Sequence, residues 1–299
     1  MYGYPYLHKP VQTNIRTEKT THEKARIHYF VNKILNSADM QILLNPKYEN
    51  LRPFVTALSD VRVRQHGGKV LHDGRNRIEL FDIGGMEVVV KSYNRMTLFN
   101  RMIYGTLRKS KAMRAYEHAS RLHGAGIDTP EEIATVEVRQ HGIIRQCIFV
   151  SRYSDYLPLR PVTENFTKSE RDKAVLDALA KFLVKLHMAG ILHNDLNIDN
   201  ILYKETVAQD GTAGYRFQLI DINRMTFGRQ LSVYRRMDNL RRLSCNVPAY
   251  LYILGKYAEA MNTDTEYILL KGTLKRFIFE WRKRTEHKIK DIVRVKNEI

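Results

Sequence analysis

The sequence predicts an α+β chain of two lobes, a small antiparallel β-rich lobe followed by a larger, mainly helical lobe. Two observations carry this prediction. Residues 69–153 contain short apolar runs separated by glycine-containing turns, which is typical of strands. After Tyr153 the apolar residues recur with the 3.6-residue period of an amphipathic helix. We expect the two lobes to join near this change of period, at "VSRYSDYLPLRP".

Three strand-like segments follow one another in the first lobe: "KVLH" (69–72), "NRIELFDI" (76–83) and "MEVVVKSY" (86–93). Asp73-Gly74 and Gly84-Gly85 lie between them, at positions typical of tight turns. Because such short connections join antiparallel neighbours, the pattern predicts a meander.

One helix and a hairpin complete this lobe. "SKAMRAYEHASRLHGAG" predicts a helix over 110–126 that is stopped by Gly126. "IATVEVRQ" (133–140) and "IIRQCIFVSRY" (143–153) predict two strands that turn at His141-Gly142.

The second lobe begins with "ERDKAVLDALAKFLVKLHMAG", a predicted amphipathic helix that ends at Gly190. "NILYKE" and "YRFQLIDI" predict two short strands around the turn "QDGTAG". From about residue 235 the sequence is helical in pattern and basic.

Core-like sequence begins at Met40, with "MQILLNPKYENLRPFVTAL". The residues before it are polar, and only "ARIHYFVNKILNSAD" has the pattern of an amphipathic helix. We therefore divide the chain into an N-terminal extension over 1–39, a first lobe over 40–153 and a second lobe over 154–299.

The formal net charge of +17 is the one unusual total. It fits either simple solubility or a polyanionic partner such as nucleic acid, an acidic membrane face or a phosphorylated substrate. The two cysteines, Cys147 and Cys245, are too few for a disulfide framework. No apolar run reaches membrane-spanning length, and "MYGYPYLHKP" lacks the apolar core of a signal peptide. We therefore expect an intracellular protein.

The stretch "ILHNDLNIDNILY" (191–203) places His193, Asp195 and Asn200 between two apolar segments. A D-x-x-x-x-N spacing after a histidine is typical of a loop that supplies a catalytic carboxylate and a metal ligand. Asp and Asn are also common turn residues, so a loop of capping side chains is the alternative.

Three further side chains favour phosphoryl transfer over that alternative. Lys91 closes the strand "VVVK", Glu117 lies on the next helix, and Asp221 ends the second strand after the loop. Singly, Lys91 and Glu117 are more typical of solvated surface residues. Together, in this order, the set offers a cation for phosphates, oxygen ligands for magnesium and a carboxylate for the attacking hydroxyl.

The segments "VVVKSY", "RAYEHASRLHGAGIDTPEEIA", "LHMAGILHNDLNIDNIL" and "LIDINR" resemble the protein-kinase-like superfamily. They are more closely similar to the lipopolysaccharide kinases that phosphorylate Kdo or heptose in the inner core. The resemblance covers roughly residues 45–245. It implies a bilobal protein-kinase-like fold and an ATP- and Mg²⁺-dependent phosphotransferase acting on a sugar hydroxyl.

On the nucleotide side, the resemblance implies that Lys91 contacts the α- and β-phosphates of ATP and pairs with Glu117. The usual glycine-rich loop is reduced here to "HDGRNR". We therefore expect the backbone around Gly74, with Arg75 or Arg77, to cover the phosphates.

On the acceptor side, the resemblance implies that Asp195 accepts the proton of the sugar hydroxyl and that Asn200 and Asp221 hold Mg²⁺. His193 would brace the loop. Asn194 stands where these enzymes usually have an arginine, so a phosphorylated activation loop lacks its usual receptor. Asp-Ile-Asn replaces Asp-Phe-Gly, and no Ala-Pro-Glu follows, which favours a sugar or lipid acceptor over a protein.

Two basic segments, 100–114 and 275–290, fit either an anionic membrane or lipid A phosphates, or simply a solvated helix face. Trp281, with Phe277 or Phe279, is interpreted as core. We expect an inner-core glycolipid as acceptor, a peripheral location at the inner face of the cytoplasmic membrane, and no specific nucleic acid.

Three other functions stay open at this point. The first is a compact, atypical protein kinase. The second is a catalytically silent kinase-like binding module, against which the intact Lys91, Asp195, Asn200 and Asp221 argue. The third is a basic nucleic-acid binder, although the sequence has no zinc-ligand spacing, basic heptad region or aromatic binding motif.

Overall fold

A computed structural model describes residues 38–60, 62–63, 67–93, 109–141, 143–167, 169–207 and 213–297. Most of the predicted N-terminal extension therefore lies outside the described residues, together with Gly142, the turn at 208–212 and the first half of the basic segment 100–114. In the part of the chain that is described, no helix is both long enough and apolar enough to cross a membrane.

The first half of the chain forms a six-stranded antiparallel sheet with strand order β1-β5-β6-β4-β3-β2. Its elements are β1 (Ala38–Leu44), α1 (Arg52–Ala57), β2 (Lys69–Asp73), β3 (Arg77–Ile83), β4 (Met86–Ser92), α2 (Lys111–Gly124), β5 (Glu132–Gln140) and β6 (Ile143–Arg152). The predicted meander is β2–β4, and the predicted hairpin is β5–β6. Both predictions are confirmed.

Strand β6 shows how the sheet separates two cores. Its side chains alternate, so that Ile148 and Val150 join one buried cluster while Cys147 and Phe149 join the other. The first cluster is covered by the segment after β1, through Leu51 of a 3₁₀ turn (Pro46–Leu51) and through α1. The second cluster is covered by α2 and continues into the helical half.

The second half is mainly helical and carries one small three-stranded sheet and one strand pair. Its elements are β7 (Leu157–Pro158), α3 (Arg160–Glu164), α4 (Glu170–Met188), β8 (Ile191–His193), β9 (Ile201–Val207), β10 (Ala213–Leu219), β11 (Met225–Phe227), α5 (Val233–Leu240), α6 (Val247–Ala260) and α7 (Thr265–Asn297). The predicted helix over 170–190 and the two strands around "QDGTAG" are confirmed as α4, β9 and β10.

The pairing of these strands positions the loops that carry the polar motif. β8 pairs with β11, and β9 pairs with β10, both antiparallel. The loop 194–200 from β8 to β9 and the loop 220–224 from β10 to β11 therefore lie side by side. A backbone hydrogen bond of 3.0 Å from Ile220 N to Asn200 O joins them.

Helix α7 corrects one expectation from the sequence. Phe277 and Trp281, interpreted as core, are 67% and 60% exposed. Phe279 points to the other side of the helix, where the guanidinium groups of Arg241 and Arg242 stack on its ring at 4.9 and 5.4 Å. Aromatic content alone could not separate these positions, because the phase of the helix decides which of them face the protein.

A buried histidine ties the helices to strand β8. The Nε2–H of His187 donates to Asn239 Oδ1 at 3.1 Å, and its Nδ1 accepts from the hydroxyl of Tyr257 at 2.8 Å. Asn239 Nδ2 in turn donates to His193 O at 2.7 Å. Burial lowers the pKa of His187 to about 4, so this imidazole stays neutral in the folded protein.

We expect the pH dependence of stability to report this neutral imidazole. An unfolded histidine titrates near pH 6.5, so its contribution is complete above that pH and is lost as pH falls toward 4. The free energy of unfolding should therefore decrease by about 2 kcal/mol between pH 7 and pH 5 from this residue alone. Urea unfolding at both pH values, on wild type and His187→Gln, measures it. Equal pH slopes for the two proteins would contradict the assignment.

Gly190 should tolerate no side chain. It has a φ of +72°, and a Cβ there would lie 2.7 Å from Arg229 O and still closer to Gly228 O. We expect Gly190→Ala to lower the free energy of unfolding by about 2–4 kcal/mol, because it combines left-handed strain with a backbone clash. The matched control is Gly255→Ala in α6, where a Cβ meets nothing within 4 Å. There we expect a gain of about 0.5–1 kcal/mol in urea unfolding.

Candidate active site

A cavity of about 590 Å³ lies between the sheet and the strand pair β9–β10. Its walls are mostly apolar and include Val89 and Phe149 from the sheet. The polar residues of its lining include Lys91, Asn200 and Asp221. An apolar slot with a few converging charged groups is typical of a site for a small organic ligand that carries a charged end.

The loop 194–200 is held in shape from inside the protein. His193 is fully buried, its Nε2–H donates to Ile220 O at 3.0 Å, and its Nδ1 accepts from Asp195 N at 3.1 Å. Burial lowers the pKa of this imidazole, which fits a neutral ring that both donates and accepts. Asn200 Nδ2 donates to Asp195 O at 2.8 Å and closes the loop.

These contacts use the backbone of Asp195, and its side chain is 45% exposed. The nearest cation is Arg224, whose Nη1 lies 4.0 Å from Asp195 Oδ2. An accessible carboxylate on a rigid loop is suited to accepting a proton from an incoming hydroxyl. The structure therefore places Asp195 and Asn200 together as predicted from the sequence.

Asp221 has the strongest set of contacts. Its Oδ1 accepts from Lys91 Nζ at 2.7 Å and from Asn223 Nδ2 at 2.7 Å. Burial alone would raise the pKa of this carboxyl, but the Lys91 ammonium outweighs burial and the pKa is lowered. Its φ of +54° is a left-handed conformation that Asp tolerates better than most residues.

The donors available for a metal ion are oxygens. Asp221 Oδ1 is engaged by Lys91 and Asn223, so Oδ2 is the oxygen left for a ligand. Because Asn200 uses its amide nitrogen inside the loop, its Oδ1 faces away from that contact. A carboxylate and an amide oxygen are hard ligands that fit Mg²⁺.

Glu117 does not occupy its predicted place. Its Oε1 accepts from Lys109 Nζ at 2.5 Å, on the outside of α2, and the described partner of Lys91 is Asp221 instead. The reason is helix phase: the buried face of α2 carries Ala115 and Ala119, and Glu117 lies about 200° around the helix from Ala115.

The contact that α2 makes with the site runs through a histidine instead. His118 Nδ1–H donates to Ile222 O at 2.7 Å, directly beside Asp221. Burial lowers the pKa of His118, which keeps the ring neutral. Helix α2 is therefore linked to the segment that carries Asp221 by a neutral hydrogen bond and not by a lysine–glutamate ion pair.

The two candidate arginines near the turn between β2 and β3, Arg75 and Arg77, differ in their partners. Arg77 is engaged by Asp73 at 2.9 Å and by the buried Glu79 at 3.0 Å. Arg75 is exposed and makes no ion pair with any described residue, so it is the arginine that can reach a phosphate. Gly74 N donates to Asn76 O at 3.2 Å, so this amide already has a partner within the turn.

The sequence reasoning assigned no role to Tyr93, Lys111 and Arg224. The ammonium groups of Lys91 and Lys111 both lie 5.6 Å from the centroid of the buried Tyr93 ring. Lys111 makes no ion pair with a described carboxylate. Burial, followed by the charges of Arg75 and Arg224, lowers its pKa. Converging cations with few counter-charges are what a polyphosphate requires.

Two signals in the sequence could have identified these residues. Lys111 directly follows Ser110, whose side chain caps α2, so it lies at a helix start facing the sheet. Arg224 directly follows the Asp-Ile-Asn segment, in a motif that was already singled out.

Comparison with known proteins identifies a family and a fold. Residues 62–251 match the model of the "Lipopolysaccharide kinase (Kdo/WaaP) family", which is nearly two thirds of the chain. A 3-deoxy-D-manno-octulosonic acid kinase of Actinobacillus succinogenes is 25% identical over 172 residues, covering 56% of this chain and 68% of the relative. The structure is also similar to that of WaaP solved in complex with acyl carrier protein. That match has a TM-score of 0.54 and 20% identity, and covers 83% of this chain and 98% of the other. The structural match confirms the predicted fold class.

The contacts of Lys91 and Glu117 lead to opposite expectations for two substitutions. We expect Lys91→Met to weaken binding of an ATP analogue by at least about tenfold, because a charge-assisted contact is lost. Glu117→Gln should change the affinity by less than about twofold, since its exposed pair with Lys109 contributes little. Isothermal titration calorimetry on both variants tests this. A loss in Glu117→Gln as large as that in Lys91→Met would mean that Glu117 pairs with Lys91 when nucleotide binds.

Proposed function

The chain belongs to the lipopolysaccharide kinase (Kdo/WaaP) family and is a sugar kinase of the lipopolysaccharide core, and we propose that it transfers the γ-phosphate of ATP to a hydroxyl of an inner-core Kdo or heptose residue. One observation supports this most strongly. The Lys91–Asp221 ion pair lines a mostly apolar cavity, beside the loop 194–200 that carries Asp195. The proposed lobes, 40–153 and 154–299, meet at this cavity.

Each residue of the site has one role in the proposal. The adenine and ribose occupy the apolar slot, and Lys91 contacts the α- and β-phosphates. Arg75 and Lys111 approach the outer phosphates, because both cations lack a described acidic partner. Glu117, originally assigned to pair with Lys91, has no part in nucleotide binding in this proposal.

The proton follows a short path. Asp195 accepts the proton of the sugar hydroxyl while that oxygen forms a bond to the γ-phosphorus and the bond to the β-phosphate oxygen breaks, releasing ADP. Arg224, 4.0 Å from the carboxylate, lies near the developing negative charge. His193 holds the backbone of Asp195 and does not exchange the proton, because its two nitrogens are already engaged.

Asn200 Oδ1 and Asp221 Oδ2 are proposed to hold Mg²⁺. When bound, the ion would neutralise charge on the β- and γ-phosphates. The chain's own contribution is to fix these two oxygens, through the hydrogen bond of Asn200 to Asp195 O and the contacts of Asp221 with Lys91 and Asn223.

The proposed acceptor is a glycolipid, so we also propose that the protein works at the inner face of the cytoplasmic membrane. The family implies a sugar acceptor, and the relative from Actinobacillus succinogenes is named for a Kdo kinase activity. The absence of an Ala-Pro-Glu segment in the sequence fits an acceptor other than a peptide.

The test uses labelled ATP, Mg²⁺ and a Kdo-containing lipid A precursor as acceptor. We expect Asp195→Asn to lower phosphate transfer by about 100- to 10,000-fold, the usual contribution of a general base. The control is Asp199→Asn in the same loop, a residue that also lines the cavity but whose carboxylate is paired with Arg160. It should keep at least a tenth of the activity.

A protein mixture offered in a parallel reaction distinguishes the acceptors. Label that enters only protein would replace the proposal with a protein kinase. Full activity of Asp195→Asn on the glycolipid would remove Asp195 as the base while leaving the acceptor established.

A further inference from the structure

Helix α7 carries an apolar stripe that faces away from the protein. Leu270, Leu274, Phe277 and Trp281 are 73%, 55%, 67% and 60% exposed. Their spacing of four, three and four residues places them in one line along the helix. A continuous exposed stripe of this size on a soluble surface indicates an interaction site rather than scattered surface residues.

The opposite face of α7 packs against the rest of the protein. Gly272 packs so closely on α6 that a Cβ would lie 2.5 Å from Leu254 Cδ1. Lys275 stacks on the Tyr234 ring at 3.2 Å, and Arg276 donates to Cys245 O at 2.6 Å. Because the packed face is fixed, the helix cannot rotate to bury its stripe. Among the residues that the structure describes, none covers the stripe, so we look for its partner outside them.

The C-terminal end of the stripe is followed by basic residues. Arg282, Lys283, Arg284 and Lys288 are exposed next to its end, whereas Glu286 is the one carboxylate between residues 281 and 289. An apolar stripe that includes tryptophan, with cations beside it, is typical of helices that lie in the interface of an anionic bilayer. The acyl region takes up the apolar side chains while the headgroups attract the cations.

A second copy of the chain is a poorer partner for the same surface. Each copy carries a formal net charge of +17 and would bring the same basic residues to the contact, which adds repulsion. An anionic bilayer offers both an apolar phase and negative charge. Charge complementarity therefore selects the membrane.

We propose that the outer face of α7 docks the protein on anionic lipid, with Leu270, Leu274, Phe277 and Trp281 inserted at the boundary between headgroups and acyl chains. This inference rests on the proposed action at a membrane and specifies the surface that makes the contact. The surface lies beyond residues 62–251, which are the residues that match the family model. None of the residues that line the nucleotide cavity belongs to α7, so docking leaves the cavity accessible.

The chain contains a built-in probe, since Trp281 is its single tryptophan. We expect the emission of the full chain to shift to shorter wavelength with vesicles of phosphatidylglycerol and phosphatidylethanolamine, and not with phosphatidylcholine alone. Vesicle flotation measures the partitioning itself. Binding should weaken as salt rises, because the charged part of the attraction is screened.

Substitution separates the apolar and the charged parts. Leu270→Ser/Leu274→Ser/Phe277→Ser should weaken partitioning by at least about tenfold, because three inserted side chains are lost. The matched control is Leu157→Ser/Met188→Ser/Val207→Ser, at positions that are 55%, 60% and 76% exposed on other elements. We expect this control to bind like wild type.

Arg282→Gln/Lys283→Gln/Arg284→Gln should weaken binding to the anionic vesicles by about tenfold or more and remove most of the salt dependence. The control replaces the exposed Lys69, Arg145 and Lys181 by Gln and keeps the same net charge as the variant. Phosphorylation of a water-soluble Kdo glycoside should be unchanged in all four variants, which shows that they are folded.

Three results would overturn the docking surface. These are equal binding to anionic and neutral vesicles, wild-type binding by the stripe variant, or a dimer in sedimentation that the stripe variant abolishes while vesicle binding is absent. The proposed function fails separately. A chain that floats with vesicles through α7 but phosphorylates neither Kdo glycolipid nor Kdo glycoside would keep the docking surface and lose the proposed acceptor.

Discussion

The buried imidazole of His193 is the constraint on which the site depends. One ring nitrogen donates to Ile220 O, the other accepts from Asp195 N, and its own carbonyl accepts from Asn239 on α5. The neutral side chain of His193 thus joins the two site loops, and its backbone carbonyl links them to α5. Without it, the two loops would still be joined by backbone hydrogen bonds such as that from Ile220 N to Asn200 O, but the backbone of Asp195 would lose the contact that fixes it relative to Asp221.

The sequence could predict the elements whose signal is local. Alternation and turn residues identify β2 to β6, and the 3.6-residue period identifies α4. Strand β1 was not predicted, because its partner β5 lies about ninety residues further along the chain. No local signal in the sequence shows that β5 has an edge available for another strand. The relation of His193, Asp195 and Asn200 was predictable because a short loop fixes it. The partner of Lys91 was not, since it depends on the rotation of α2 against the sheet.

Electrostatics gives the site a different character from an amide-lined phosphate loop. Here the cations Lys91, Lys111 and Arg224 come from three separate elements, and the Gly74 amide is used within its own turn. Cations on long side chains hold an anion less rigidly than backbone amides do, but they act over a greater distance. This site therefore offers an anion the charges of side chains, where a glycine-rich phosphate loop offers backbone amides. The difference fits the formal net charge of +17.

The segment 220–223 is held at every residue. Ile220 O accepts from His193, Asp221 is bound by Lys91, Ile222 O accepts from His118, and Asn223 donates back to Asp221. In kinases that are switched on and off, this segment usually turns over about a glycine. Here Asn223 stands at the position of that glycine, and its side-chain hydrogen bond to Asp221 stabilises the segment. We therefore expect the position of Asp221 to change little while the enzyme turns over.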